Sequence, residues 1–156
     1  MEHTISPETP NARAYFEKLL TISFSDAHRL VKKYGSPLLV LSRKRVRESY
    51  SSLKRALPNV RIFYAIKSNP HPEILKTLKQ EGASFESASF GELKKILELG
   101  VPAREVLNTQ PFLSEKDFEN CYKAGQRWFI FDNRDQLKRL TRFSKDIDLL
   151  LRLSFP

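Results

Sequence analysis

The sequence predicts an α/β protein in which parallel β-strands alternate with α-helices. Short runs of apolar and β-branched residues recur, and helical periodicity follows each of them. A glycine comes directly after several of the helical segments, and a serine, asparagine or aspartate stands before them. Strands separated by helices pair in parallel through right-handed crossovers. This pattern alone leaves an open sheet and a closed barrel as alternatives.

The first part of the chain is less regular. Residues 1–12 are polar and contain two prolines, which is typical of a loose tail. Ser25 is a candidate N-cap for a helix at residues 26–34, and Gly35 is a candidate stop. Further elements expected here are a short helix at residues 12–20, a strand at residues 37–41 and a helix at residues 43–56.

The regular part of the chain begins near residue 61. Pro72 suits a first helical position, and Ser89 and Glu92 have the spacing of a capping box. Asp132 or Asn133 is a further N-cap candidate. The predicted strands are residues 61–66, 84–86, 105–107, 128–131 and 148–153. The predicted helices are residues 72–80, 90–99, 115–123 and 134–141.

Composition excludes several classes of protein. No apolar run is long enough to cross a membrane, and the N-terminus shows no basic region followed by an apolar stretch. The single Cys121 cannot form an internal disulfide, which is typical of a reducing compartment and favours a cytoplasmic location. The net charge is +9, but the basic residues are spread along several predicted helices, as on solvated faces. We therefore expect neither a membrane nor a nucleic acid as partner. A basic protein that associates with nucleic acid stays open as a weaker alternative to the two functions given at the end of this subsection.

The segment FYAIKSNP at residues 63–70 is the most informative motif. It places Lys67 at the end of a short apolar strand, and the Asn-Pro pair then ends that strand. Alternation would put Phe63, Ala65 and Lys67 on one face. An amine held there is suited to forming an imine with a carbonyl compound, although most lysines at strand ends are solvated surface groups.

Four segments in a fixed order carry a resemblance to a known family. They are YGSPL at residues 34–38, YAIKSNP at 64–70, FESASFGEL at 85–93 and LLRL at 150–153. Together they resemble the amino-terminal part of the pyridoxal-phosphate-dependent decarboxylases that act on ornithine, diaminopimelate or arginine. The resemblance implies a partial (β/α)8 barrel of the TIM type with about five parallel strands, preceded by a short helical and β segment.

The resemblance also implies a domain division and a truncation. Residues 1–36 would form an N-terminal tail and helices, and residues 37–156 an incomplete barrel domain that binds pyridoxal phosphate. The later barrel strands and the usual β-domain of the family would then be missing. We therefore expect a fragment, a truncated product or one half of a two-chain enzyme.

The family match assigns roles to four residues. Lys67 would form the internal aldimine with pyridoxal 5′-phosphate. Glu86, where relatives usually have aspartate, would lie close to the cofactor and the lysine, and Arg152 would face the cofactor region. Glu92 would lie at the mouth of the site, although the capping box explains it without catalysis. No metal site is expected, because the three histidines are scattered.

Other candidate residues have simpler explanations. His71 could be a catalytic base, but a histidine in a surface turn is the commoner case. Tyr64 and Trp128 are better explained as strand packing, and Cys121 as a buried inert thiol. Leu113 stands where a lysine is common in ornithine decarboxylases, which leaves the substrate open.

Two functions from different classes follow from the resemblance. The first is the amino-terminal portion of a decarboxylase of a basic amino acid of the ornithine, arginine, lysine or diaminopimelate class, in polyamine or amino acid metabolism. It would be inactive alone and would work as a homodimer or with a complementing chain. The second is a truncated non-catalytic or regulatory relative that acts as a binding partner.

Overall fold

The computed structural model describes residues 22–143 and 146–155. The chain divides into two compact units, with the boundary between Arg45 and Val46. The helix predicted at residues 12–20 lies outside the described residues. The division predicted between residues 36 and 37 stays a prediction.

The first unit contains helix α1, Phe24–Tyr34. Its N-cap is Ser23, whose Oγ accepts a hydrogen bond from Asp26 N at 3.1 Å. The N-cap predicted at Ser25 is therefore wrong: Ser25 lies inside the first turn, and its hydroxyl bonds that of Ser23 at 2.8 Å. The predicted stop at Gly35 is confirmed, with a φ of 86° that favours glycine.

The strand predicted at residues 37–41 is wrong, because no β-ladder forms there. The segment keeps its apolar side chains at the surface, and Leu39 is 91% exposed. An apolar sequence supplies strand propensity, but a strand also needs a neighbour to pair with its backbone N–H and C=O groups. The first unit contains no such strand among its described residues.

The regular part of the fold begins with helix α2, Arg43–Ala56, as predicted. Strands and helices then alternate in the predicted order. They are β1 Phe63–Ala65, α3 Pro72–Gln80, β2 Ser84–Ser87, α4 Phe90–Leu97, β3 Val106–Asn108, α5 Glu115–Lys123, β4 Trp128–Phe131, α6 Arg134–Phe143 and β5 Asp148–Leu151. Two short 3-10 helices, Ile66–Ser68 and Ala103–Glu105, follow β1 and precede β3. No helix within the described ranges is both long and apolar enough to cross a bilayer.

All five strands form one parallel sheet in the order β1-β2-β3-β4-β5. Each strand pairs with the next strand in the chain, so the connections never reverse direction across the sheet. Doubly wound open sheets reverse their strand order at a switch point, whereas barrels add strands sequentially. The predicted segment of a (β/α)8 barrel with five strands is therefore confirmed.

Several predicted boundaries differ from the structure. The strand predicted at residues 61–66 is paired only over Phe63–Ala65, and the one predicted at 148–153 ends at Leu151. Paired length, rather than the length of the apolar run, limits a strand, because ladder hydrogen bonds need a partner in register. The other differences are small: β2 extends to residue 87, β3 covers 106–108, α4 ends at 97 and α6 continues to 143.

One face of the sheet is buried beneath the helices. Successive side chains of a strand point to opposite faces. Phe85 and Ser87 of β2 pair in register with Val106 and Asn108 of β3, and all four are buried. Phe129 of β4 continues this face and lies 4.8 Å from Phe118 of α5, between ring centroids. The hydrophobic core therefore lies between this face and the helices.

The sheet is curved. The rings of Phe63 on β1 and Trp128 on β4 lie 6.1 Å apart between centroids, although β2 and β3 separate the two strands. Flat strands with two between them would lie about 14 Å apart. The Arg61 guanidinium sits over both rings, at 4.8 Å and 5.2 Å, and Arg61 Nε donates to Ser84 Oγ at 2.8 Å. Phe63 and Trp128 therefore lie on the concave face of a barrel segment.

A buried amide joins the strands on the opposite face. Gln126 Nε2 donates to Ser87 Oγ and to the Val106 carbonyl oxygen, both at 3.0 Å. Gln126 Oε1 accepts from Asn108 Nδ2 at 3.3 Å. Because Ser87 and Asn108 end β2 and β3, this network fixes the carboxyl ends of two neighbouring strands.

Candidate functional site

Lys67 lies in the short 3-10 helix that follows β1, and its side chain is exposed. The ladder ends at Ala65, so Lys67 lies beyond the strand, and its place on the same face as Phe63 and Ala65 stays a prediction. Ile66 turns into the core with no exposed surface and anchors the start of the turn. The amine therefore stands at the carboxyl end of β1 on a turn rather than on the strand itself.

The turn that carries Lys67 is closed by hydrogen bonds on both sides. The Tyr64 hydroxyl donates to the Asn69 carbonyl oxygen at 3.2 Å. Asn69 Oδ1 accepts from His71 N at 3.1 Å, and His71 Nδ1 accepts from Glu73 N at 3.2 Å. Burial raises the pKa of Tyr64 above its ordinary value, so the hydroxyl keeps its proton and remains a donor at neutral pH.

Glu86 lies on β2, in register with Ala65 of β1 and Leu107 of β3. Leu107 in turn pairs with Trp128, so Glu86 belongs to the concave face. Its side chain is half-buried. Glu86 is therefore on the strand next to the lysine turn and near its carboxyl end.

Arg152 follows the last residue of β5, and its side chain is exposed. The backbone N of Arg152 still donates to the Phe131 carbonyl oxygen at 2.7 Å. Alternation thus places Arg152 on the same face as Leu150, which pairs with Ile130 of β4. Strands β3 and β4 separate it from Glu86, so the two residues share an edge of the sheet without being neighbours. Within residues 22–143 and 146–155 no ion pair joins Lys67, Glu86 or Arg152 to one another.

Glu92 works as a helix cap. Glu92 N donates to Ser89 Oγ at 3.2 Å, which confirms the N-cap that the sequence predicts for α4. The Glu92 carboxylate accepts from Ala88 N at 2.7 Å, one residue before the N-cap residue that a standard capping box would use. Asn133 and Gln136 repeat the pattern on α6, where Gln136 Oε1 accepts from Asp132 N at 2.8 Å.

The remaining candidates are structural. His71 is the N-cap of α3, where its Nδ1 acts as acceptor. Leu113 is buried in the hydrophobic core. Cys121 is fully buried, and burial, followed by the nearby Asp117 carboxylate, raises the pKa of its thiol to about 12. Such a thiol is inert at neutral pH.

Sequence reasoning missed two polar groups that follow β3 and β4 in the chain. Among the described side chains, two buried atoms have no hydrogen-bond partner. They are Thr109 Oγ1, just after β3, and Gln136 Nε2, in the first turn of α6, the helix that follows β4. A buried polar atom without a partner is costly, so a water molecule or a polar ligand that bonds either atom would be stabilising. No sequence signal marks either residue, because threonine and glutamine are ordinary in loops and first helical turns. No group of three or more histidine, cysteine, aspartate or glutamate side chains in the described ranges could hold a metal ion.

A family model for the pyridoxal binding domain of pyridoxal-dependent decarboxylases matches residues 43–155. The chain therefore belongs to this family. The cofactor predicted from the resemblance is the cofactor that defines the family, and the fold of the described residues is that of its barrel domain.

Individual relatives agree with the family assignment. The chain is 31% identical over 137 residues to the lysine/ornithine decarboxylase of Selenomonas ruminantium, which covers 88% of this chain and 35% of the relative. The chain thus spans about a third of the length of this relative.

Solved structures show the same similarity. The lysine/ornithine decarboxylase of Vibrio vulnificus complexed with cadaverine superposes with a TM-score of 0.79 at 38% identity, covering 86% of this chain and 38% of that one. The structure of SrLDC in complex with PLP and cadaverine gives a TM-score of 0.82 at 31% identity, covering 86% of this chain and 35% of that one.

The capping role of Glu92 can be tested by substitution. Glu92→Ala removes the acceptor of Ala88 N, and we expect it to lower the free energy of unfolding by about 1 kcal/mol. Glu92→Gln keeps an acceptor oxygen but removes the charge, so stability should change by less than about 0.5 kcal/mol. Urea unfolding followed by circular dichroism measures both. Equal losses in the two variants would contradict the capping role.

Proposed function

We propose that this chain is the cofactor-binding portion of a pyridoxal-phosphate-dependent decarboxylase of a basic amino acid, and that Lys67 binds the cofactor aldehyde. The observation that carries the proposal is the position of Lys67. Its side chain is exposed on a turn that hydrogen bonds close at the carboxyl end of β1. The neighbouring strand, β2, carries Glu86. Carboxyl ends of barrel strands are where barrel enzymes place their chemistry.

The residues at this edge fit the chemical groups of the cofactor. A primary amine condenses with an aldehyde with loss of one water. The Arg152 guanidinium can bind an anionic group through two parallel hydrogen bonds. The Glu86 carboxylate, on the concave face, would favour a positive charge close to it. When bound, pyridoxal phosphate supplies an electron sink for the carbanion that loss of carbon dioxide leaves.

The substrate class follows from the relatives rather than from this site. We assign a basic amino acid of the ornithine, arginine, lysine or diaminopimelate class. Support comes from relatives named as a lysine/ornithine decarboxylase and a diaminopimelate decarboxylase. Cadaverine, the diamine in two of the similar structures, is a small basic molecule of the kind that decarboxylation of such an amino acid yields. We further propose that a homodimer or a complementing chain completes the site.

The position of the cofactor can be tested by labelling. We expect that one equivalent of pyridoxal phosphate, followed by borohydride reduction and peptide mass spectrometry, places the label mainly on Lys67. Lys67→Ala should lose the label, whereas Lys95→Ala, at an exposed lysine of α4, should keep it. A label scattered over many lysines, or one that persists in Lys67→Ala, would contradict the proposal.

A non-catalytic or regulatory relative that acts as a binding partner is the second candidate function. It shares the family membership of the first candidate and differs from it in requiring no cofactor at Lys67. Both candidates predict no measurable release of carbon dioxide from ornithine, lysine, arginine or diaminopimelate by the purified 156-residue chain. Release that disappears in Lys67→Ala would contradict this and would make the chain an enzyme by itself. If the chain does not turn over, Lys67 labelling separates the candidates, because only the first requires a working cofactor site.

A further inference from the structure

A chain of hydrogen bonds joins β1 to α3 and encloses the turn that carries Lys67. Tyr64 is the middle residue of β1, and its hydroxyl reaches the Asn69 carbonyl oxygen at 3.2 Å. Tyr64 and Asn69 thus stand on either side of the 3-10 helix Ile66–Ser68. One hydrogen bond closes the loop of chain that contains the lysine.

The same asparagine ties the turn to the next helix. Asn69 Oδ1 accepts from His71 N at 3.1 Å, and His71 Nδ1 accepts from Glu73 N at 3.2 Å at the start of α3. The backbone of Asn69 is extended, with φ −160° and ψ 103°, which the following Pro70 favours. Asn69 therefore receives one hydrogen bond through its carbonyl oxygen and one through its side chain, from opposite sides of the turn.

Apart from packing against β2, few interactions of the described residues hold the exposed side of the turn. A 3-10 helix of three residues makes few hydrogen bonds of its own. Ile66 is fully buried and anchors the start of the turn, but Lys67 and Ser68 are exposed. The end of the turn is held at Asn69 by the hydrogen bonds from the Tyr64 hydroxyl and from His71 N. The phenol lies partly buried against the core, so its hydroxyl comes from a rigid element.

We propose that Tyr64 is a positioning residue that sets the place of Lys67 through Asn69, before the cofactor binds. The inference rests on the proposed function of Lys67. A tyrosine that served only as strand packing would need its ring and not its hydroxyl. Tyr64→Phe separates these roles, because it keeps the ring and removes the donor.

The test compares Tyr64→Phe with Tyr50→Phe, which makes the same change at a buried tyrosine of α2. The first readout is amide hydrogen exchange of His71 and Glu73 in the chain without cofactor, measured by NMR. The second is the apparent Kd for pyridoxal phosphate, with the bound lysine identified by reduction and mass spectrometry. For Tyr64→Phe we expect exchange of both amides about tenfold faster and a Kd about tenfold weaker at Lys67, the scale of one hydrogen bond. Tyr50→Phe should change neither.

The outcomes separate this inference from the proposed function. If wild-type Lys67 takes no label, the proposed function fails, and the positioning role fails with it. If wild-type Lys67 is labelled but Tyr64→Phe leaves the exchange rates or the Kd unchanged, only the positioning role fails. Equal effects in Tyr64→Phe and Tyr50→Phe would also overturn it, because they would reflect a general loss of stability.

A second pair of variants acts at the other end of the hydrogen bond chain. Asn69→Asp keeps an acceptor for His71 N, whereas Asn69→Leu removes it and can still adopt the extended backbone that precedes proline. We expect wild-type exchange at His71 N in Asn69→Asp and about tenfold faster exchange in Asn69→Leu. The reverse order would overturn the role assigned to Asn69.

Discussion

Phe63 and Trp128 touch across two intervening strands, and this contact requires a curved sheet. Arg61 lies over both rings and bonds Ser84, so one cation holds side chains of three strands together on the concave face. The candidate site depends on this curvature. The curvature turns the carboxyl ends of the parallel strands toward one shared volume, in which residues from different strands can act on the same ligand.

Two sets of hydrogen bonds hold the residues at the carboxyl ends of the strands in place. On the helix-covered face, Gln126 fixes the ends of β2 and β3 through Ser87 and Asn108. At β1, the Tyr64 hydroxyl donates to the Asn69 carbonyl oxygen and so closes the turn that carries Lys67. The exposed side chain of Lys67 therefore stands on a turn whose start is anchored by the buried Ile66 and whose end is held at Asn69. This arrangement suits a site that must exchange one bound molecule for another while its framework stays in place.

The order of strands and helices could be predicted from sequence because each helix carries its own start and stop signals, as Ser89 and Gly35 illustrate. Sequence reasoning failed where tertiary pairing decides. The apolar residues 37–41 look like a strand but have no partner strand, and Ile66 looks like the continuation of β1 but leaves the ladder. The candidate residues Lys67, Glu86 and Arg152 came from motifs, whereas the support from Tyr64 and Gln126 could not, because a long-range hydrogen bond leaves no local pattern.

The most direct test of this account is a double-mutant cycle between Phe63 and Trp128. The free energies of unfolding of Phe63→Leu, Trp128→Leu and the double variant, measured in urea, give the coupling between the rings. A barrel segment predicts a coupling of about 0.5–1.5 kcal/mol, the value for aromatic pairs in contact, while Phe63→Leu and Phe112→Leu at an exposed loop position should be additive. Additivity of Phe63→Leu and Trp128→Leu would mean that the two strands are too far apart for their rings to meet, and a curved sheet with a shared site at its carboxyl edge would be wrong.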